Sequence, residues 1–435
     1  LDEYTQIDFK PFDPVHKKTE ALIQVEGGQP FSVIKGAPKV IIDLCQMDAA
    51  VKQRATKAVD RYAKKGLRTL GVAKTNDQGG YDLLGIISFF DPPRIDSKKV
   101  IGDIKSYHID VKMVTGDDLA IGTQISKDLG LGANLRTADS IFKPSVDIHS
   151  IPEGIEKKIT ESDGFARVFP EHKYGIVKAF QDIDAIVAMT GDGVNDAPAL
   201  KQANVGIAVS GATDAARAAA DLILTASGLS VITTAIEESR QIFQRMVNYV
   251  NYRVAMTINI MLFVSLSILF TNITPLTAIM IIMLALLDDI PIMAIAYDNA
   301  AISPEPLRWN LKNVLRIASV LGLVLVLENF LLMAVVKHYT DQSLNQIQTI
   351  MFLLMVIAGH LLLFVSRQKS WFWLRPWPSK ELCLAIFSTQ IVAILICRYG
   401  WFVTAISWKM ILLVWIYALI WMFILNMFGI RFQRL

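Results

Sequence analysis

The chain has 435 residues, 53% of them hydrophobic, and a mean hydropathy of +0.40, which rules out a purely soluble or disordered protein. Its 43 Lys and Arg against 40 Asp and Glu leave a formal charge of +3, so it is not a nucleic-acid binder working through bulk positive charge, and no nucleic-acid partner is expected. Cys45, Cys383 and Cys397 have no metal-ligand spacing and imply no disulfide framework. The opening LDEYTQIDFKPFDP lacks the charged and apolar regions of a signal peptide and starts on Leu1, so the expectation is that the chain begins inside a larger protein.

In chain order, residues 1–88 read as a small α/β domain. Strand-like runs at Ala21–Val25 and Phe31–Ile34 precede a helix over Ala49–Lys65 and strands near Leu70 and Leu83. Residues 89–236 read differently. VKMVTGDD (Val111–Asp118) and DAIVAMTGDG (Asp184–Gly193) are short apolar runs that end in Gly and Asp and lead into helical patterns. Repeated strand, loop and helix predict a parallel α/β sheet whose ligands bind beyond the carboxyl ends of the strands.

Residues 237–435 carry six apolar stretches of membrane-crossing length: Val254–Phe270, Leu276–Tyr297, Val314–Val336, Ile347–Ser366, Leu382–Tyr399 and Met410–Phe428. Six crossings return the chain to its starting side, giving an all-α transmembrane bundle after the α/β domains. Arg240, Arg245, Arg253, Arg308, Lys312, Arg316, Arg367, Lys369, Arg375, Lys380, Arg431 and Arg434 share the side of the soluble half; Lys337, Arg398 and Lys409 lie opposite. The positive-inside rule then makes the soluble half and the C-terminus cytoplasmic, in a multi-pass protein of the cytoplasmic membrane.

The densest motif is MTGDGVNDAPALKQANVGIAV (Met189–Val209), where Asp192, Asn195 and Asp196 crowd a strand end. Such a loop suits Mg²⁺, a hard ion that takes oxygen ligands and keeps waters and a substrate phosphate as the rest. With KGAP (Lys35–Pro38), GLRTL (Gly66–Leu70), DPPR (Asp91–Arg94), TGD (Thr115–Asp117) and FPEHK (Phe169–Lys173) in this order, the string resembles the P-type ATPases, members of the haloacid-dehalogenase-like phosphotransferase group. Each motif also has a physical role. Thr115, with Gly116 and Asp117, offers a hydroxyl and backbone N–H groups to phosphoryl oxygens, and Lys173 supplies a point charge.

The resemblance implies ATP as substrate, Mg²⁺ as cofactor held by Asp192, and Asn195 and Asp196 within the catalytic loop. It also implies Phe12 stacked on adenine, Lys17 and Lys35 lining the nucleotide pocket, and Arg68 and Arg94 on the phosphates. Residues 1–88 then correspond to part of a nucleotide-binding domain and 89–236 to the later part of a phosphorylation domain. Family members form an aspartyl-phosphate on a DKTGT motif. That motif is not in this sequence, so the 435 residues alone are expected to be inactive.

In the second apolar stretch, LALLDDIPIMAIAYDN places Asp288 and Asp289 near mid-membrane, where charges are functional by default. Pro291 lacks an N–H and displaces the carbonyl of Leu287, so a free acceptor sits beside the acids. Successive helical residues point about 100° apart, so one acid faces the core, and resemblance selects Asp289. The first stretch offers neutral groups such as Asn251, Thr257 and Asn259, too few charges for a calcium cage. IFQRM (Ile242–Met246) and LLDDIPIMAIAYD resemble the plasma-membrane proton pumps in particular, which implies proton export driven by MgATP. Arg253 is expected to snorkel to the cytoplasmic interface, with countercharge to the acids as the alternative. Two alternatives stay open: a pump for another cation such as Mg²⁺, and a truncated, non-catalytic membrane protein that binds nucleotide.

Overall fold

The computed structural model describes residues 4–13, 15–142 and 152–433, and the chain forms two compact units, Leu1–Thr234 and Ala235–Leu435. The first opens with β1 (Tyr4–Asp13), β2 (Lys18–Val25), β3 (Phe31–Gly36), α1 (Pro38–Leu44), α2 (Ala49–Ala63), β4 (Arg68–Thr75) and β5 (Tyr81–Phe89). The five strands pair antiparallel in the order β1-β2-β3-β4-β5. Ile34, Ile41, Cys45 and Ala73 form the core that joins α1 to this sheet. The sequence reading did not include β1. Pro11 removes a ladder donor, and β1 accordingly stands at the sheet edge, where that loss is tolerated.

There follow α3 (Ser97–Ser106), β6 (Met113–Val114), α4 (Leu119–Asp128), β7 (Leu135–Thr137), α5 (Ala138–Ile141), α6 (Glu153–Thr160), β8 (Gly164–Ala166) and α7 (Pro170–Asp182). Then come β9 (Ala188–Gly191), α8 (Ala197–Gln202), β10 (Val205–Ala208), α9 (Asp214–Ala219) and β11 (Leu222–Ile223). The strands are parallel, as alternating strand and helix demand, but they form two three-stranded groups, β6-β8-β7 and β11-β10-β9. Both Gly-Asp loops leave edge strands, β6 and β9. Ile141, Ile159, Phe165 and Ile176 fill the core of the first group, and Leu200, Ala208 and Ala216 that of the second.

The helix α10 (Ser230–Thr271) is followed by α11 (Ala278–Ala294), α12 (Leu311–Tyr339), α13 (Leu344–Ser366), α14 (Lys380–Tyr399) and α15 (Trp408–Gln433). All six are long and apolar enough to cross a membrane. Each of the four from α11 to α14 starts on a side chain that accepts from its first turn: Thr277, Asn310, Ser343 and Ser379. The most apolar 18-residue window of α13 is 94% buried, the highest of the six. A helix apolar all round belongs inside, and α13 packs against α11, α12, α14 and α15.

Candidate functional site

Antiparallel pairing brings the expected nucleotide residues to one end of the five-stranded sheet. Phe12 ends β1, Lys17 sits in the β1–β2 turn, Lys35 ends β3 and Arg68 starts β4, with Lys18 opposite Gly36 and Gly36 opposite Gly71. Phe12 is 59% exposed and so free of any packing duty in the core. Gly36 is required by close approach: a Cβ there would lie 2.3 Å from the Lys17 carbonyl oxygen, which accepts from Ala37 N–H at 3.0 Å.

Arg68 reaches from this end to the TGD loop, donating from Nε and Nη2 to both Asp117 carboxylate oxygens at 2.9 and 3.0 Å. That hydrogen bond holds its guanidinium above the ordinary range. Within the loop, Asp117 N–H donates to Thr115 Oγ1 at 3.1 Å, and the Thr115 hydroxyl donates to Asp117 Oδ2 at 3.2 Å. Gly116 is exposed at the tip. Asp118 caps α4 and pairs with Arg167. Burial acts to raise the Asp118 carboxyl, but the hydrogen bond from Arg167 and the cap outweigh it, and the net shift is downward.

The loop after β8 ties these pieces together. Val168 N–H donates to Thr115 O and Arg167 N–H to Asp117 O. At the start of α7, Lys173 Nζ donates to Asp196 Oδ1 at 2.5 Å. The other oxygen of Asp196 accepts from the N–H groups of Asp192 and Gly193, both at 3.2 Å. Gly191 permits this fold-back, since a Cβ there would stand 2.5 Å from that of Asp196. Burial raises the Asp196 carboxyl; the Lys173 hydrogen bond, the Gly193 N–H and the Lys173 charge outweigh it, so it titrates below its ordinary 3.8. Asp196 is thus a buried brace for the loop. Asp192 is exposed, and its carboxylate makes no hydrogen bond among the described residues, which leaves a hard oxygen donor free for Mg²⁺. Asn195 is exposed beside it. Arg94 is exposed near Asp96 and Gly228, and among the described contacts none joins it to the TGD loop.

The membrane acids diverge. Asp288 is 3% exposed and faces His360 of α13, with Oδ1 3.5 Å from Nε2. Asp289 turns outward from the six helices, its side chain 52% exposed and 3.4 Å from Arg253 of α10. One expectation is therefore corrected. The core-facing acid is Asp288, because Asp289 sits about 100° further round the helix. Arg253 takes its alternative role, countercharge to Asp289, which gives each charge the partner that an apolar environment demands. The carbonyl that Pro291 frees at Leu287 is used: His360 Nε2 lies 3.3 Å from it. Asn259 is fully buried and accepts from Asn329 Nδ2 at 2.7 Å, bridging α10 and α12 rather than joining the acids.

The sequence reading also missed a latch past α11. Asp298 accepts from Arg367 Nε and Nη2 at 2.9 and 3.2 Å and from Ser379 N–H at 3.0 Å, with both charged side chains 3% exposed. In the sequence Arg367 stands out only as one of the cations on the side of the soluble half. The partners lie 69 residues apart, so no local pattern announces them.

A family model for haloacid dehalogenase-like hydrolases matches residues 14–204. The chain is 45% identical over 98% of its length to "Putative cation-transporting ATPase" of Methanocaldococcus jannaschii, covering 52% of that protein. It is 37% identical over 92% of its length to Plasma membrane ATPase 1 of Saccharomyces cerevisiae and 36% identical over 92% to the Plasma membrane ATPase of Neurospora crassa, covering 44% of each. The chain thus spans about half the length of the curated relatives it matches. Nearly the whole chain is thus similar to the cation-transporting and plasma membrane ATPases, and residues 14–204 to the haloacid dehalogenase-like hydrolases.

Proposed function

We propose that these residues form the part of a P-type ATPase that binds nucleotide, holds the transferred phosphoryl group and carries the ion, and that the ion is a proton exported across the plasma membrane. The observation that carries this reading is the convergence of Thr115, Asp117, Lys173, Asp192 and Asp196 through one hydrogen-bonded set of loops. Residues 1–88 serve as nucleotide-binding domain, 89–236 as phosphorylation domain and 237–435 as transmembrane domain, with the soluble part and the C-terminus cytoplasmic.

Phe12 offers adenine a flat apolar face, and Lys17 and Lys35 place positive charge at the same sheet end. Asp192 is the residue that would hold Mg²⁺, which supplies charge neutralisation on the phosphoryl oxygens when bound. The Thr115 hydroxyl and the Lys173 ammonium stabilise charge on those oxygens, and Asp196 fixes the direction of the ammonium. The carboxylate nucleophile, which displaces ADP from the γ-phosphorus, comes from outside these 435 residues. In the membrane, an acid that alternates between protonated and paired with Arg253 makes Asp289 the carrier.

The test is ATP-driven transport by the full-length protein in sealed vesicles. Acidification of the lumen in the parent and its loss in Asp289→Asn support the reading, since an amide mimics the loaded acid but releases nothing. Transport of a metal ion without pH change replaces the proton by that cation. Binding of ATP without any turnover reduces the protein to a nucleotide sensor.

A further inference from the structure

Asp289 with Arg253 leaves a second buried cluster unused. Asp288, His360 and Gln390 come from α11, α13 and α14, and each is 3% exposed or less. Gln390 Nε2 donates to His360 Nδ1 at 2.6 Å and to Val356 O at 3.3 Å. With Nδ1 accepting, the ring proton sits on Nε2, which points at Leu287 O (3.3 Å) and Asp288 Oδ1 (3.5 Å). Two atoms of the cluster have no hydrogen-bond partner, Asp288 Oδ1 and Gln390 Oε1. Both are acceptors, so the cluster can take one more hydrogen-bond donor.

The site is closely packed on one side: a Cβ on Gly359 would stand 2.9 Å from Met256 Cε, the end of a flexible side chain, and in ordinary contact with Asp288 Oδ1 at 3.4 Å. The charged and titratable groups around Asp288 are Tyr252 and Arg253 on α10 and Asp289 on its own helix; Tyr252 is buried, with an unpaired hydroxyl. From α14 the facing group is the neutral Gln390.

We propose, on the reading that the full-length protein exports protons, that Asp288 and His360 form a second proton-carrying site in the membrane. The proton adds to the lone pair of His360 Nδ1. The Gln390 amide turns end for end so that Oε1 accepts the new N–H, and the imidazolium, still donating from Nε2, neutralises the Asp288 carboxylate. Release reverses these steps. The amide turn uses the one acceptor on Gln390 that the present arrangement leaves idle, and gives up the 3.3 Å bond from Nε2 to Val356 O.

The experiment compares protons moved with ATP hydrolysed in vesicles holding the full-length parent, Asp288→Asn or His360→Asn. Two carriers predict that either substitution halves the ratio. An unchanged ratio in both overturns the second site, whereas a parent that never acidifies the lumen overturns the proton reading itself. A readout free of turnover is nitrogen NMR of histidine-labelled protein in lipid nanodiscs. His360 Nδ1 should change from an acceptor signal to an N–H signal as pH falls, and Asp288→Asn should remove that change. A ring that keeps one tautomer and no charge throughout, or that changes identically in Asp288→Asn, contradicts the proposal.

Discussion

The Gly-Asp loops and the six-helix bundle treat charge in opposite ways. Around the loops every acid with a structural duty has a cation or a backbone N–H on it: Asp117 with Arg68, Asp118 with Arg167, Asp196 with Lys173. In the bundle the Asp298–Arg367 latch is satisfied in the same manner. Yet Asp288, Glu328, Asn259, Asn329 and Gln390 hold buried polar atoms with no partner. Aqueous loops let water complete what protein does not, so pairing there serves geometry. Inside apolar packing an orphaned polar atom costs several kcal/mol unless something mobile satisfies it, which singles out the carboxylates of Asp288 and Glu328, the groups among these that can take up a proton.

That contrast can be broken most severely at Asp289. Asp289→Asn is expected to abolish ATP-driven acidification by the full-length protein while ATP binding persists, measured by a lumenal pH dye beside a nucleotide titration. Parental acidification rates in this variant would remove Asp289 from the ion path. On the aqueous side, Asp192→Asn should lower Mg²⁺-dependent phosphorylation by about 100-fold, because one of few oxygen ligands loses its charge. Equal phosphoenzyme levels at matched Mg²⁺ would place the ion elsewhere.

Smaller effects sharpen the comparison. Phe12→Ala should weaken ATP binding by about 1–3 kcal/mol, the range for losing an aromatic platform under a base, and an unchanged affinity in a titration of the 435-residue chain would free Phe12 of that role. Lys173→Met should cost about 1–3 kcal/mol of stability in the first unit, since Asp196 loses a charge-assisted hydrogen bond. The same pair sets an acid limit. Because the Asp196 carboxyl is held below its ordinary 3.8, its contribution is fully present above that value and is lost as pH falls through the lower, folded one. Acid unfolding followed by circular dichroism should therefore shift to higher pH in Lys173→Met, and an identical midpoint would show that the pair is not a brace.

Period and punctuation made much of the fold legible. The helix over Ala49–Ala63, the strands β2 to β5 and six apolar spans follow from side-chain spacing, and the Gly-Asp loops mark where β6 and β9 end. Extent was harder to read. The first span lies inside a 42-residue helix from Ser230, because the polar turns before Val254 have helical propensity but no apolar signature. Orientation was harder still. Adjacent acids cannot both face a core, and which one does depends on how α11 is rotated against α13, a tertiary fact that resemblance to Asp289 did not contain. Nothing in the sequence links His360, in an apolar run, or Gln390, after Ser388 and Thr389, to Asp288; the packing of three helices does.

The most direct measurement is of the ion itself. Full-length protein in sealed vesicles, given MgATP in a buffer whose other cations are present equally on both sides, should acidify the lumen at a rate that falls when ATP hydrolysis is inhibited. A lumen that accumulates a metal cation, with pH constant while ATP is consumed, would contradict proton export and return Asp288 and Asp289 to the ligand set of that metal.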